Sequence, residues 1–163
     1  MDITLRLLHI LFGVYWVGSD VTLTFILLPR LKALGPSIER PVMRVLMKVI
    51  PPITTISAII TIVAGILLVG RLKGWGVLFS VGWGWAIFIS LVLTGLAVIV
   101  GFGLLPLVAM KYEKLSQKLE AQTPNTDEGH RLDSLTRQVT IFGRLNSVLL
   151  ILVTAAMAVA RFV

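Results

Sequence analysis

The chain has 163 residues, 56% of them hydrophobic, a formal net charge of +7 and no cysteine. A soluble domain of this length could not cover so much apolar surface, so the composition excludes an ordinary soluble globule and points to a membrane protein. The lack of cysteine excludes disulfide frameworks and thiolate metal sites, and no basic-helix or RNP-like motif supports nucleic acid as a partner.

The first apolar run, Ile3 to Leu28, is long enough to cross a bilayer as a tilted helix. It is too long for a signal-peptide core, and no small-residue cleavage site follows it, so it is expected to stay as a span. Arg6, His9, Gly13, Trp16, Asp20 and Thr24 recur along it every three or four residues. They share an arc of roughly 80° on the helix. Ionisable groups are costly at membrane depth, so this stripe should face a bundle interior, a cavity, a cofactor or another subunit.

Span one is expected to end at Leu28-Pro29, where a basic loop begins. Gly35-Pro36-Ser37 is turn chemistry, with Ser37 as an N-cap. Residues 38–50 read as an interfacial amphipathic helix, with Arg40, Arg44 and Lys48 on its polar side. Pro51-Pro52 predicts a kink before span two, residues 53–69, where Ser57, Thr61 and Gly65 make a small-residue face for a neighbouring helix. Span three is expected over 77–105, opened by Trp75, Phe79, Trp83 and Trp85 as an interfacial belt. Pro106 should kink it, and an amphipathic continuation over 108–121 carries Lys111, Lys114 and Lys118. Residues 122–129 read as a loop. Helix resumes near Arg131, and span four covers 141–162, with Gly143/Ser147 and Ala156/Ala160 as small pairs.

The expected fold is therefore all-α: one domain, 1–163, forming a four-helix transmembrane bundle with amphipathic extensions. Eleven basic residues fall in the two long loops and their flanks, against Arg6, Arg71, Lys73 and Arg161 on the other side. The positive-inside rule puts both termini outside the cell membrane and the extensions in the cytoplasm, where their lysines and arginines meet anionic headgroups.

His9-Ile-Leu-Phe-Gly-Val-Tyr-Trp16-Val-Gly18 resembles the H-x6-W-x-G opening of CopD-like four-helix membrane proteins, which are associated with copper handling. A related opening occurs in HemJ-type membrane protoporphyrinogen oxidases, which bind haem. Leu28-Pro29-Arg30, Leu105-Pro106 and Arg144-Leu145-Asn146 extend the resemblance. It implies that His9 is a metal or haem ligand. Residues 86–105 hold neither the second His nor the Lys such proteins often carry, so another ligand must come from elsewhere.

His9 lies roughly 9 Å below the outer surface at 1.5 Å per residue. Neutral imidazole suits haem iron or copper, and Arg6, one turn outward, would pair with a haem propionate. The plainer reading of His9 is a hydrogen bond to another helix. Met157 on span four is expected at similar depth and is a second ligand for haem or Cu(I), or simply core packing. Two copies of His9 sharing a haem across a homodimer is another arrangement. Trp16 is a pocket wall or a packing residue, and Gly13 and Gly18 permit close helix contact. Asp20 needs a partner at membrane depth, with Ser57 and Asn146 as candidates; a proton relay and a structural hydrogen bond both fit.

These readings favour a small membrane redox protein binding haem b or a related metal cofactor near its outer face. The alternatives are a copper-handling protein using His9 with Met157, and an accessory subunit of a larger membrane complex whose stripe packs on another chain.

Overall fold

The computed structural model describes residues 2–72, 75–77, 79, 82–120, 126–160 and 162. Every regular element among them is helical. In order they are α1 (Asp2–Val21), a π-helical turn π1 (Thr22–Leu27), α2 (Leu28–Ala33), α3 (Pro36–Leu72), a 3-10 turn (Trp75–Val77), α4 (Gly82–Val98), a second π-helical turn π2 (Ile99–Leu104), α5 (Leu105–Glu120) and α6 (Thr126–Val159). Four stretches are long and apolar enough to cross a membrane: Ile3–Ala33, Ser37–Arg71, Gly82–Leu119 and Asp127–Val159. The chain is an all-α, multi-pass membrane protein whose apolar helices meet lipid. It divides into two compact units, one of residues 1–88 with 159–163 and one of residues 89–158.

The prolines shape the first unit differently from the sequence expectation. Span one does not end at Pro29. The helix widens to a π-turn, the Leu28 N–H donates to the Leu23 carbonyl, and α2 runs on to Ala33. Proline has no N–H to give, and its ring crowds the carbonyl four residues back; a wider turn immediately ahead of it accommodates both. The chain reverses at Leu34-Gly35, where Gly35 adopts φ +85°, a left-handed conformation that glycine enters without a Cβ clash. Ser37 is not the N-cap. Pro36 opens α3, and the Gly35 carbonyl accepts from the Ile38 and Glu39 N–H groups.

No break separates the interfacial stretch from span two either. α3 passes through Pro41, Pro51 and Pro52 as one helix. Beyond the proline pair two hydroxyls turn back on the helix: Thr54 Oγ1 donates to the Ile50 carbonyl at 3.0 Å, and Thr55 Oγ1 to the Pro51 carbonyl at 2.7 Å. Beyond α3, Phe79, Trp85 and Phe88 form an edge-to-face cluster with centroids 5.1 to 6.0 Å apart. Phe79 and Trp85 stay exposed, as an interfacial belt requires.

Val77 lies in the 3-10 turn, the described part of span three begins at Gly82, and the span repeats the device of span one. Its π-turn ends at Leu104, the Leu105 N–H donates to the Val100 carbonyl, and Pro106 follows. Phe25-Ile26-Leu27-Leu28-Pro29 and Phe102-Gly103-Leu104-Leu105-Pro106 thus share an F-x-L-L-P pattern with the π-turn in the same register. The expected loop at 122–129 is shorter at its far end, because α6 already begins at Thr126; positions 121–125 lie outside the described residues. Asp127 and Glu128 suit the positive end of that helix, and Glu128 pairs with Lys118 of α5 at 2.7 Å.

Candidate functional site

The polar stripe of α1 is turned toward α3 of the same chain. His9 Nδ1 lies 2.7 Å from the Thr61 carbonyl oxygen. A carbonyl can only accept, so Nδ1 carries a proton and donates it to Thr61. Among the described residues Nε2 has no hydrogen-bond partner.

Three features of the 57–65 stretch permit this contact. The Thr61 carbonyl has a second lone pair beyond the one its helix uses. The Thr61 hydroxyl is turned back to the Ser57 carbonyl at 2.7 Å, so its methyl faces α1. Gly65 stands one turn on, where a side chain would cover that carbonyl, and the imidazole occupies the space instead: a Cβ there would lie 2.9 Å from His9 Cε1. Gly13 completes the approach, since a Cβ on it would lie 3.3 Å from the Thr61 methyl.

The other stripe residues divide by depth. Arg6 is exposed one turn nearer the amino terminus than His9. Trp16, 5% exposed, and Thr24 are buried, and Asp20 is half-buried with a partner of its own. Gly13 against Thr61 sets the antiparallel register of the two helices. Seven residues further along each, Asp20 is level with Thr54; Ser57 lies about a turn outward of it. Ser57 is buried and donates to the Ile53 carbonyl at 2.9 Å.

Gly18 differs from Gly13. A Cβ there would meet nothing within 4 Å, so this glycine does not mediate helix contact. It belongs instead to a shallow groove of about 400 Å³, which also takes in Val14, Tyr15, Thr22 and Leu27 and reaches Ile50 of α3.

The remaining candidates belong to the second unit. Met157 is half-buried near the end of α6. Asn146 is buried against π2: a Cβ on Gly101 would lie 2.8 Å from its Oδ1. Sequence reasoning did not connect these two, although a glycine at mid-membrane depth opposite an amide is the available signal. Compared with protein-family models, curated proteins and solved structures, the chain matches none. Among the described residues no three His, Cys, Asp or Glu side chains gather into a metal-holding group. A metal at His9 would therefore take one imidazole from this site and its other ligands from a cofactor ring or a further group.

Proposed function

We propose that the protein is a small membrane redox protein in which His9 is an axial ligand of haem b near the outer face. The observation that carries this reading is the His9–Thr61 hydrogen bond. A metal-binding histidine characteristically donates its second ring N–H to a carbonyl or carboxylate, which fixes the tautomer and directs the other nitrogen at the metal. His9 has that arrangement, and its single imidazole fits one axial position. The resemblance of His9 to Gly18 to the opening of CopD-like and HemJ-type proteins supports the same assignment.

Within this reading Thr61 and Gly65 hold the imidazole, and exposed Arg6 is placed to pair with a propionate. Trp16 walls the stripe below. The bound haem would supply one-electron exchange; the chain's own residues fix its ligand, its depth and its access to water. Both termini and the His9 end of α1 lie outside, with α2, α5 and the basic starts of α3 and α6 in the cytoplasm, as the charge distribution favours.

A copper site is the second reading, because a neutral imidazole anchored through Nδ1 equally suits Cu(I). Packing of the stripe on another subunit loses its motive, since His9 and Gly13 are engaged with α3 of their own chain. Visible spectra of the detergent-purified protein, oxidised and dithionite-reduced, test the proposal. A Soret band with a sharpened reduced α-band, lost or shifted in His9→Ala, is expected. A colourless protein expressed with ample haem overturns it, and metal analysis then decides on copper.

A further inference from the structure

The groove beside Gly18 runs along α1 and the π-turn and reaches Ile50 of α3, and it reflects three local causes. Gly18 contributes no side chain, so the surface of α1 is open at that position. The π-turn beginning at Thr22 widens the helix immediately below. Ile50 of α3 closes the far end beside Leu27. The open sides are bilayer-facing: Val14 is 68% exposed and Tyr15 43%. The groove thus runs lengthwise along a span, narrow and mostly apolar, and opens sideways to lipid.

Its deep end has a distinct electrostatic character. Within two turns of Leu27 and Ile50 stand Arg30, Lys32, Arg44 and Lys48, all exposed. Moving an acyl chain from bilayer into such a slot gains no hydrophobic energy, because lipid tails are as apolar as the slot. Selection must come from fit of the chain to the slot and from headgroup charge at the basic end.

We propose that this groove holds one acyl chain of an anionic phospholipid from the leaflet at the Arg30–Lys48 end, with its phosphate among those basic side chains. Gly18 is then a lipid-binding residue rather than a helix-packing one. The assignment is independent of any cofactor at His9, which lies on the opposite face of α1.

Native mass spectrometry of the full-length protein released from nanodiscs of equal phosphatidylglycerol and phosphatidylcholine tests it. The wild-type protein should retain one phosphatidylglycerol in preference to phosphatidylcholine. A Cβ at position 18 meets nothing within 4 Å, so Gly18→Leu puts its side chain into the slot and should lose that lipid while keeping its helicity. Arg30→Gln with Lys48→Gln should retain a lipid but lose the headgroup preference. Equal retention of the two lipids by the wild type, or undiminished phosphatidylglycerol on a folded Gly18→Leu protein, overturns the proposal. Should Gly18→Leu fail to fold, the charge variant decides: unchanged headgroup preference in it also overturns the proposal.

Discussion

His9 and Gly65 occupy one space: the imidazole edge lies where a Cβ on residue 65 would stand, 2.9 Å from Cε1. The same ring donates Nδ1–H to Thr61, so it cannot move aside without giving up that bond. Gly65→Ala should therefore destabilise the first unit by about 1–3 kcal/mol, the usual cost of overpacking a tight contact. In a His9→Ala background the same substitution should cost little, because the clash is gone. Thermal unfolding in detergent of the two single variants and the double variant measures the coupling. Additive effects would show that the ring does not fill this space.

Gly13 and Gly18 offer a paired test on one helix. Alanine at position 18 meets nothing and should stabilise α1 by up to about 1 kcal/mol, the helix-propensity difference from glycine. At position 13 that gain is offset by the Thr61 methyl at 3.3 Å. Leucine separates them further: Gly13→Leu should push α1 from α3 at a cost of about 1–3 kcal/mol, and Gly18→Leu should be tolerated. Equal melting temperatures for the two leucine variants would contradict the register.

The two glycines also show how far the sequence could be read. Four apolar helices, the polar stripe and the small-residue face at Ser57, Thr61 and Gly65 follow from composition and a 3.6-residue period. The fate of an individual glycine does not, because it depends on which helix stands opposite. Pro29 misleads for a related reason. It reads locally as the end of span one, yet the helix continues to Ala33, since a π-turn at 22–27 absorbs the strain, as a second one at 99–104 does ahead of Pro106. That compensation lies in backbone geometry and leaves only the faint F-x-L-L-P repeat in the residues. His9 was legible as a candidate ligand or as a residue hydrogen-bonded to another helix, and that hydrogen bond is present; that its acceptor is the Thr61 carbonyl was not legible, because main-chain acceptors have no sequence signature.

At the basic end of the second unit, Lys118 and Glu128 tie α5 to the start of α6 at 2.7 Å, although the lysine side chain is 58% exposed. An exposed pair of this kind contributes about 0.2–1 kcal/mol and is screened by salt. Glu128→Gln should thus lower stability by less than about 1 kcal/mol. The difference from wild type should shrink between low and high ionic strength. A salt-independent loss would place the contribution of Glu128 in its position at the helix start rather than in the ion pair.

The Asn146–Gly101 contact makes the corresponding case inside the membrane. At π2 the Leu105 N–H is committed to Val100, and Pro106 has no N–H, so the Gly101 carbonyl loses both backbone donors that could have served it. In lipid such a carbonyl needs a partner from a neighbouring helix. Asn146 of α6 is the side chain against that residue: a Cβ on Gly101 would lie 2.8 Å from its Oδ1 and 3.2 Å from its Nδ2, the one of the two that can donate. Asn146→Leu should accordingly destabilise the second unit by about 1–3 kcal/mol, the cost of stranding a buried polar group, despite making α6 more apolar. Asn146→Gln keeps the amide but not its reach, and should recover only part of the loss. In Pro106→Ala, residue 106 regains an N–H directed at this turn, and the penalty of Asn146→Leu should fall. Unfolding measurements in one detergent on the wild type, the three single variants and the Asn146→Leu/Pro106→Ala double variant make the comparison; an Asn146→Leu penalty unchanged by Pro106→Ala would separate the amide from the proline-induced gap.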